Sequence, residues 1–223
     1  MSHELRTPLN AILGFAQLLS LQTRGRLTED QDGYVENIIQ GGEHLLGLIN
    51  DVLDLARIDT GQLAVNLQAV DAVEAVDRVI KSFGHQAEVR NIKIGFAADT
   101  PAKVMVLTDQ MRLTQILNNF ASNALKYNSD GGSVSFSLSR LDDGFVRIAV
   151  ADTGRGIPDD RQDEVFQSFN RLGAEASGEE GTGIGLALSK SLVERMGGRI
   201  GFTSTLGEGS EFRVEVPAKG KPA

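Results

Sequence analysis

The stretch that most limits what this chain can fold into lies between residues 35 and 56. Val35, Ile38, Gly42, Leu45, Ile49, Val52 and Ala56 follow one another at alternating steps of three and four, a heptad seam held over three repeats. Ile39, Leu46 and Leu53 widen it into a broad apolar stripe. A long helix is predicted from a cap at Thr28 to about residue 57, with Glu29 and Asp30 at its positive end. Upstream, Leu5, Leu9, Ile12, Ala16 and Leu19 make a second helical stripe, so a first helix is predicted over residues 3–21 and a loop over 23–27. Two such helices carry more apolar surface than the pair can bury alone. The simplest solution is a homodimer closing a four-helix bundle; the other is packing of the hairpin on the downstream part of its own chain.

On the first helix His3 stands two positions from Leu5, about 200° round, so it points away from the apolar stripe. Thr7, Asn10, Gly14 and Gln17 follow it at helical spacing and make a polar or small face on which something can dock. An exposed imidazole is largely neutral at pH 7 and is a competent nucleophile. Glu4 beside it can hold the ring tautomer or take its proton. Pro8 removes a backbone donor one turn later and is expected to bend the helix there. A lone surface histidine usually does nothing, so the chemistry of His3 depends on what surrounds it in the chain.

The net charge of −8 argues against a nucleic-acid-binding surface as the main function. The chain has no cysteine, which excludes disulfides, thiolate nucleophiles and zinc–thiolate sites and is compatible with a reducing cytosol. His3, His44 and His85 are too scattered for an obvious metal cluster. No apolar run reaches the roughly 20 residues that span a bilayer, so no membrane contact is expected of this fragment. A cytoplasmic location follows as the expectation, with anchoring of a longer protein left open.

Ile58-Asp59-Thr60-Gly61 ends the second helix and marks a domain boundary, giving domains of residues 1–60 and 61–223. The pattern then changes. Strands are predicted at 62–69, 92–96 and 104–107, and helices at 71–89 and from Asp109 to about residue 127. A hairpin over 133–141 and 145–151 turns at Asp142-Asp143-Gly144, a helix follows Gly183, and two last strands lie near 199–204 and 211–216. The sum is an α+β sandwich, a mixed sheet with helices on one face.

Within this second domain Asn119 and Asn123 are four apart on one helical face, with Lys126 three further on. Amide oxygens can ligate Mg²⁺ and Lys126 can meet phosphate, although two such residues on a helix are more often a solvated face. Asp152-Thr153-Gly154-Arg155-Gly156-Ile157-Pro158 follows an apolar strand. Its carboxylate can accept an amine hydrogen bond and its glycines let a flat ring approach the backbone; a simple turn is the plainer alternative. Phe166 and Phe169 read as at least partly core. Residues 170–180 are polar and rich in small residues. Gly181-Thr182-Gly183-Ile184-Gly185-Leu186 opens a helix whose backbone N–H groups attract phosphate, and it is neither a P-loop nor a dinucleotide fingerprint.

Taken together, these strings closely resemble the sensor histidine kinases of two-component systems. Ser2-His3-Glu4-Leu5-Arg6-Thr7-Pro8-Leu9 resembles their phosphoacceptor box, and four further boxes follow in the expected order over nearly the whole chain. The resemblance implies a dimerisation and phosphotransfer domain, then a Bergerat-type ATP domain of the kind shared with gyrase, Hsp90-type chaperones and mismatch-repair ATPases. It makes Asn123 the magnesium-ligating Asn, with Asn119 the earlier Asn of that box, and Lys126 and Tyr127 a nucleotide-contacting pair. Asp152 becomes the acceptor for the adenine amine, flanked by Gly154, Gly156 and Ile157. Phe169 belongs to the phenylalanine box, residues 170–180 to a lid over ATP, and Gly181, Thr182, Gly183, Ile184, Gly185 and Leu186 to the second glycine box. Ser210 keeps the hydroxyl that a Thr often supplies near adenine.

One substitution bears on the chemistry implied. Related ATPases place a water-activating Glu where this chain has Asn119, so the phosphoryl group is left for another nucleophile, His3. The reaction implied is autophosphorylation of His3 from ATP–Mg²⁺, with Glu4 as base or orienter, then transfer to an aspartate of a response-regulator receiver domain. Thr7 matches the position that places a water for dephosphorylating that partner, so a phosphatase activity is implied too. The rival readings are a catalytically weak nucleotide-binding module, as a pseudokinase or a truncated core, and a Bergerat-fold ATPase coupled to a conformational cycle. Because His3 is the third residue, the chain reads as a fragment without its sensor. Its first turn is expected to fray, with weak or unregulated autophosphorylation and intact ATP binding.

Overall fold

The computed structural model describes residues 2–22, 27–61, 63–170 and 182–219, with side chains from residue 7 onward except those of Glu43, His44 and Asp59. The chain divides into two compact units, Met1–Leu63 and Ala64–Ala223.

The first unit is a pair of packed helices, α1 (Ser2–Gln22) and α2 (Glu29–Asp59). The cap predicted at Thr28 is a full capping box. The Thr28 hydroxyl accepts from Gln31 N at 3.3 Å, and the Gln31 side chain accepts from Thr28 N at 3.0 Å. The predicted loop lies mostly outside the described residues. α1 runs on through Pro8. Leu9, Leu13 and Ala16 are its buried row, so Leu13 takes the inward position while Ile12 and Leu19 of the predicted stripe lie outward. On α2, Val35 and Gly42 are buried, and a Cβ added at Gly42 would sit 2.7 Å from Leu13 Cδ2. The seam glycine is therefore what lets the two helices close. One row of that seam is unspent: Ile38, Leu45 and Val52, each seven residues from the next, are 49%, 47% and 46% exposed.

In the second unit the strand predicted over residues 62–69 is corrected. Strand β1 covers only Gln68–Asp71 and pairs antiparallel with β3 (Met105–Thr108) in a separate two-stranded ribbon. The preceding segment makes no ladder because Asn66 N donates to Asp109 Oδ2 at 2.9 Å, which ties it to a helix start instead. The main sheet is mixed, in the order β2 (Lys93–Phe96), β4 (Ser133–Arg140), β5 (Phe145–Asp152), β7 (Gly209–Pro217), β6 (Arg199–Thr205). Only the β2–β4 pair is parallel.

One face of this sheet lines up Phe136, Val150 and Phe212 across three strands, with Ile148 opposite Val214, and all five are buried. Helices α3 (Ala72–Val89), α4 (Gln110–Lys126) and α5 (Gly185–Arg195) pack on it. Leu113, Ile116, Leu117, Phe120 and Leu125 of α4 are fully buried, each contributing about 1.5–3 kcal/mol of transfer free energy. The opposite face is polar. There Arg147 meets Glu215 at 2.7 Å, and Arg199 bridges Asp143 at 2.7 Å and Glu215 at 3.5 Å.

Candidate active site

The site is built outward from α4. Asp109 caps that helix, its Oδ1 accepting from Met111 N at 3.0 Å and Arg112 N at 3.2 Å. At the other end Arg90, a residue sequence reasoning passed over, donates to the carbonyls of Leu125 and Lys126 at 3.2 and 3.3 Å. Both ends are thus fixed, and the polar face between them has a defined position.

On that face Asn119 Nδ2 donates to Ser189 Oγ at 3.0 Å, and Asn123 Nδ2 donates to Asn119 Oδ1 at 3.5 Å. Asn123 Oδ1 has no hydrogen-bond partner among the described residues, so it is an available hard-oxygen donor. The first turn of α5 lies directly against Asn119: a Cβ at Gly185 would overlap its amide oxygen. Tyr127 closes α4, with the Arg155 guanidinium 4.7 Å and the Lys126 ammonium 5.4 Å from its ring centre. Arg155 is the second residue that sequence reasoning missed; it stood in the box as a spacer.

Asp152 ends β5, half-buried, with Oδ1 accepting from Gly154 N at 2.8 Å. Burial pushes its carboxyl above the ordinary value, against the backbone donors of Gly154 and Ser210, which pull it down. The loop after it is tied to α4 through Arg155 N, which donates to Tyr127 O at 3.2 Å. Gly156 has φ +68°, and a Cβ there would overlap Thr205 O, so no other residue fits this turn.

The loop hangs on Ser204. Its hydroxyl accepts from Ile157 N at 2.8 Å and donates to Gly209 O at 3.1 Å. With its single proton spent, Ser204 can only accept from Ser210, whose Oγ lies 2.9 Å away. On the opposite side Thr153 Oγ1 accepts from Ser133 N at 2.8 Å and donates to Asn128 Oδ1 at 3.3 Å. None of Ser204, Thr153 and Asn128 announces itself in sequence, because each acts through a pairing that only the folded sheet creates.

Phe166 and Phe169 part company. Phe166 packs edge-on to Phe202, which stacks on Phe212. Phe169 is 70% exposed, has φ +65°, and donates its N–H to Gly183 O at 2.9 Å. Thr182 Oγ1 accepts from Ile184 N at 3.2 Å at the approach to α5; Ile184 is buried and Leu186 half-buried. Gly181 and residues 171–180 lie outside the described residues, as do the side chains of His3 and Glu4; Thr7 is exposed on α1. The second unit thus brings together Asn119, Asn123, Lys126, Tyr127, the 152–157 loop, Ser210 and the start of α5, whereas His3, Glu4 and Thr7 belong to the first.

Residues 108–220 match the family described as the histidine kinase-, DNA gyrase B- and HSP90-like ATPase, and residues 1–61 match the His kinase A phospho-acceptor domain. This chain belongs to the sensor histidine kinase family. Its relatives within that family include the circadian input-output histidine kinase CikA of Synechococcus elongatus, 39% identical over 219 residues, a match covering 97% of this chain and 29% of CikA. The histidine protein kinase DivJ of Caulobacter vibrioides is 36% identical over 217 residues, covering 97% of this chain and 36% of DivJ. The crystal structure of full-length ShkA in complex with AMPPNP superposes with a TM-score of 0.82 at 38% identity, covering 100% of this chain and 45% of ShkA. The chain therefore spans less than half the length of these relatives. It holds the two-part core of a histidine kinase, a phospho-acceptor domain followed by a nucleotide-binding ATPase domain. No helix among the described residues is long and apolar enough to cross a membrane.

Proposed function

We propose that the chain is an ATP-dependent protein-histidine kinase, with residues 1–60 a dimerisation and phosphotransfer domain and residues 61–223 the catalytic ATP-binding domain. The observation that carries this is at Asn119. Where related ATPases keep a carboxylate to activate water, this side chain is an amide engaged with Ser189 and Asn123. Hydrolysis is left without its base, while His3-Glu4 in the same chain offers a nucleophile and a base. Asp152 holds the adenine amine, Gly154, Gly156 and Ile157 shape the base pocket, Ser210 lies beside it, and Lys126, Tyr127 and residues 181–186 address ribose and phosphates, with Phe169 at the edge of the lid.

In the reaction a ring nitrogen of His3 forms a bond to the γ-phosphorus as the bond to the β-phosphate oxygen breaks. ADP leaves, and the ring proton passes to Glu4. The residues present suit Mg²⁺. Asn123 Oδ1 is a hard oxygen without a hydrogen-bond partner among the described residues, and these residues hold no group of three or more His, Cys, Asp or Glu, so most of the ion's shell would be phosphate and water. The ion offsets phosphate charge when bound. The phosphoryl group then passes to an aspartate of a response-regulator receiver domain, and Thr7 places a water for the reverse dephosphorylation. The outward row Ile38, Leu45 and Val52 supports assembly as a homodimer.

Incubation with γ-labelled ATP and Mg²⁺ tests the reading. Acid-labile, alkali-stable label on the protein, absent from His3→Gln, is expected. Nucleotide binding with no such label would overturn it in favour of a pseudokinase.

A further inference from the structure

Arg155 stands between two tightly packed glycines. A Cβ at Gly154 would overlap the carbonyl oxygen of Tyr127, and one at Gly156 that of Thr205. Both backbone groups of Arg155 are engaged: its N–H donates to Tyr127 O at 3.2 Å, and its carbonyl accepts from Gly207 N at 2.8 Å. The backbone is thus pinned between the end of α4 and the β6–β7 turn. The side chain is exposed, and its guanidinium lies over the Tyr127 ring, 4.7 Å from the centre. What it lacks is an anion. Arg78, Arg147 and Arg199 each hold a carboxylate at 2.9 Å or less, whereas Arg155 makes no ion pair among the described residues, in a chain with 30 acidic residues against 22 basic ones.

The ring does not stand in for that anion. A cation–π contact seats the guanidinium but neutralises none of its charge and leaves its fork of N–H donors open. The Lys126 ammonium, 5.4 Å from the same ring centre, brings a second positive charge. Two cations gathered at one ring repel, and an anion that meets both reverses the sign of that energy. The place of the ring says which anion. Asn119, Asn123 and the cap Tyr127 follow at steps of four along one row of α4. Asp152 is joined to Tyr127 from the other side through Gly154, whose N–H it accepts and which packs on Tyr127 O. Tyr127 therefore stands between the residue read as the adenine acceptor and the residue read as the metal ligand. Resting on the kinase reading above, we propose that Arg155 is a further nucleotide-binding residue: seated on Tyr127, it donates to the nucleotide phosphates and makes the site favour nucleotide over nucleoside. A guanidinium fork matches phosphate oxygens in shape as well as charge.

The test compares ligands that differ only in phosphate. Adenosine, AMP and ADP compete with a fluorescent ADP analogue for the full chain in Mg²⁺, for wild type, Arg155→Gln, Arg155→Met and Arg155→Lys, alongside a thermal melt of each. Arg155→Gln is expected to weaken ADP roughly tenfold, the size of a lost hydrogen bond to a charged group, and adenosine by less than about twofold. The deficit for ADP shrinks as salt is raised from roughly 0.05 to 0.5 M, because the charge is exposed. Arg155→Lys keeps the charge without the fork and falls between wild type and Arg155→Gln. Should the glutamine chain not fold, Arg155→Met, of similar length and equally uncharged, decides. An unchanged ADP affinity in the uncharged variants overturns the proposal, and so does an equal loss for adenosine and ADP, which would mark a side chain that only holds the loop. A wild-type chain that binds neither ADP nor its analogue overturns the kinase reading along with it.

Discussion

Asp152 shows how one residue's surroundings can set the working range of the site. Burial raises its carboxyl above the ordinary aspartate value while Gly154 and Ser210 hold it down. The native state therefore keeps the proton to higher pH than the unfolded chain does. The stability this group adds is full below the unfolded value and falls as pH rises through the raised native one. For the adenine contact proposed for Asp152 the sign is opposite, because only the carboxylate accepts from an amine with both oxygens. Nucleotide affinity is expected to decline on acidification at a pH above that of an ordinary aspartate, and Asp152→Ala to lose roughly ten- to a hundredfold in affinity, measured by titrating a fluorescent ADP analogue against the chain over a range of pH. The place of Asp152 at the end of an apolar strand could be read in the sequence, whereas an acceptor role for it came only from the resemblance, a simple turn being the plainer reading of the residues. Ser204 could not be read: its importance lies in three hydrogen-bonding groups, Ile157 N, Gly209 O and Ser210 Oγ, that only the folded chain brings to one hydroxyl. Arg90 was hidden for the same reason, lying 35 residues from the carbonyl it caps.

Elements defined by period or by a cap were legible, and those defined by a partner were not. The Thr28 box, the Asp71 cap of α3 and the Asp109 cap of α4 each mark a helix start within a residue of the prediction. The stretch before β1 alternates like a strand, yet it is held by the Asp109 side chain that caps α4, a competitor no local pattern reveals. In α1 the apolar positions are dense enough to support two overlapping stripes, and the packing chose Leu9, Leu13 and Ala16 because Gly42 opens a place for Leu13. The outward row on α2 gives a test at this scale. Ile38→Glu with Leu45→Glu is expected to leave each hairpin folded but turn the homodimer into a monomer by sedimentation, because charges replace only the half-exposed heptad positions. A dimer of undiminished stability would place the contact elsewhere.

At the scale of the whole molecule, two compact units with separate cores predict two unfolding transitions rather than one. Nucleotide is expected to raise only the transition of residues 64–223, by the usual linkage of a ligand to the state that binds it, and calorimetry with and without ADP checks this. The chain also has no tryptophan and two tyrosines, and the division of the molecule assigns one to each unit: Tyr34 lies 65% exposed on α2, and Tyr127 lies beneath the Arg155 guanidinium at the end of α4. Each half therefore carries its own intrinsic optical label, and replacing either ring with phenylalanine leaves a protein whose ultraviolet emission reports on a single place, the helical hairpin or the mouth of the proposed nucleotide site, with no dye attached.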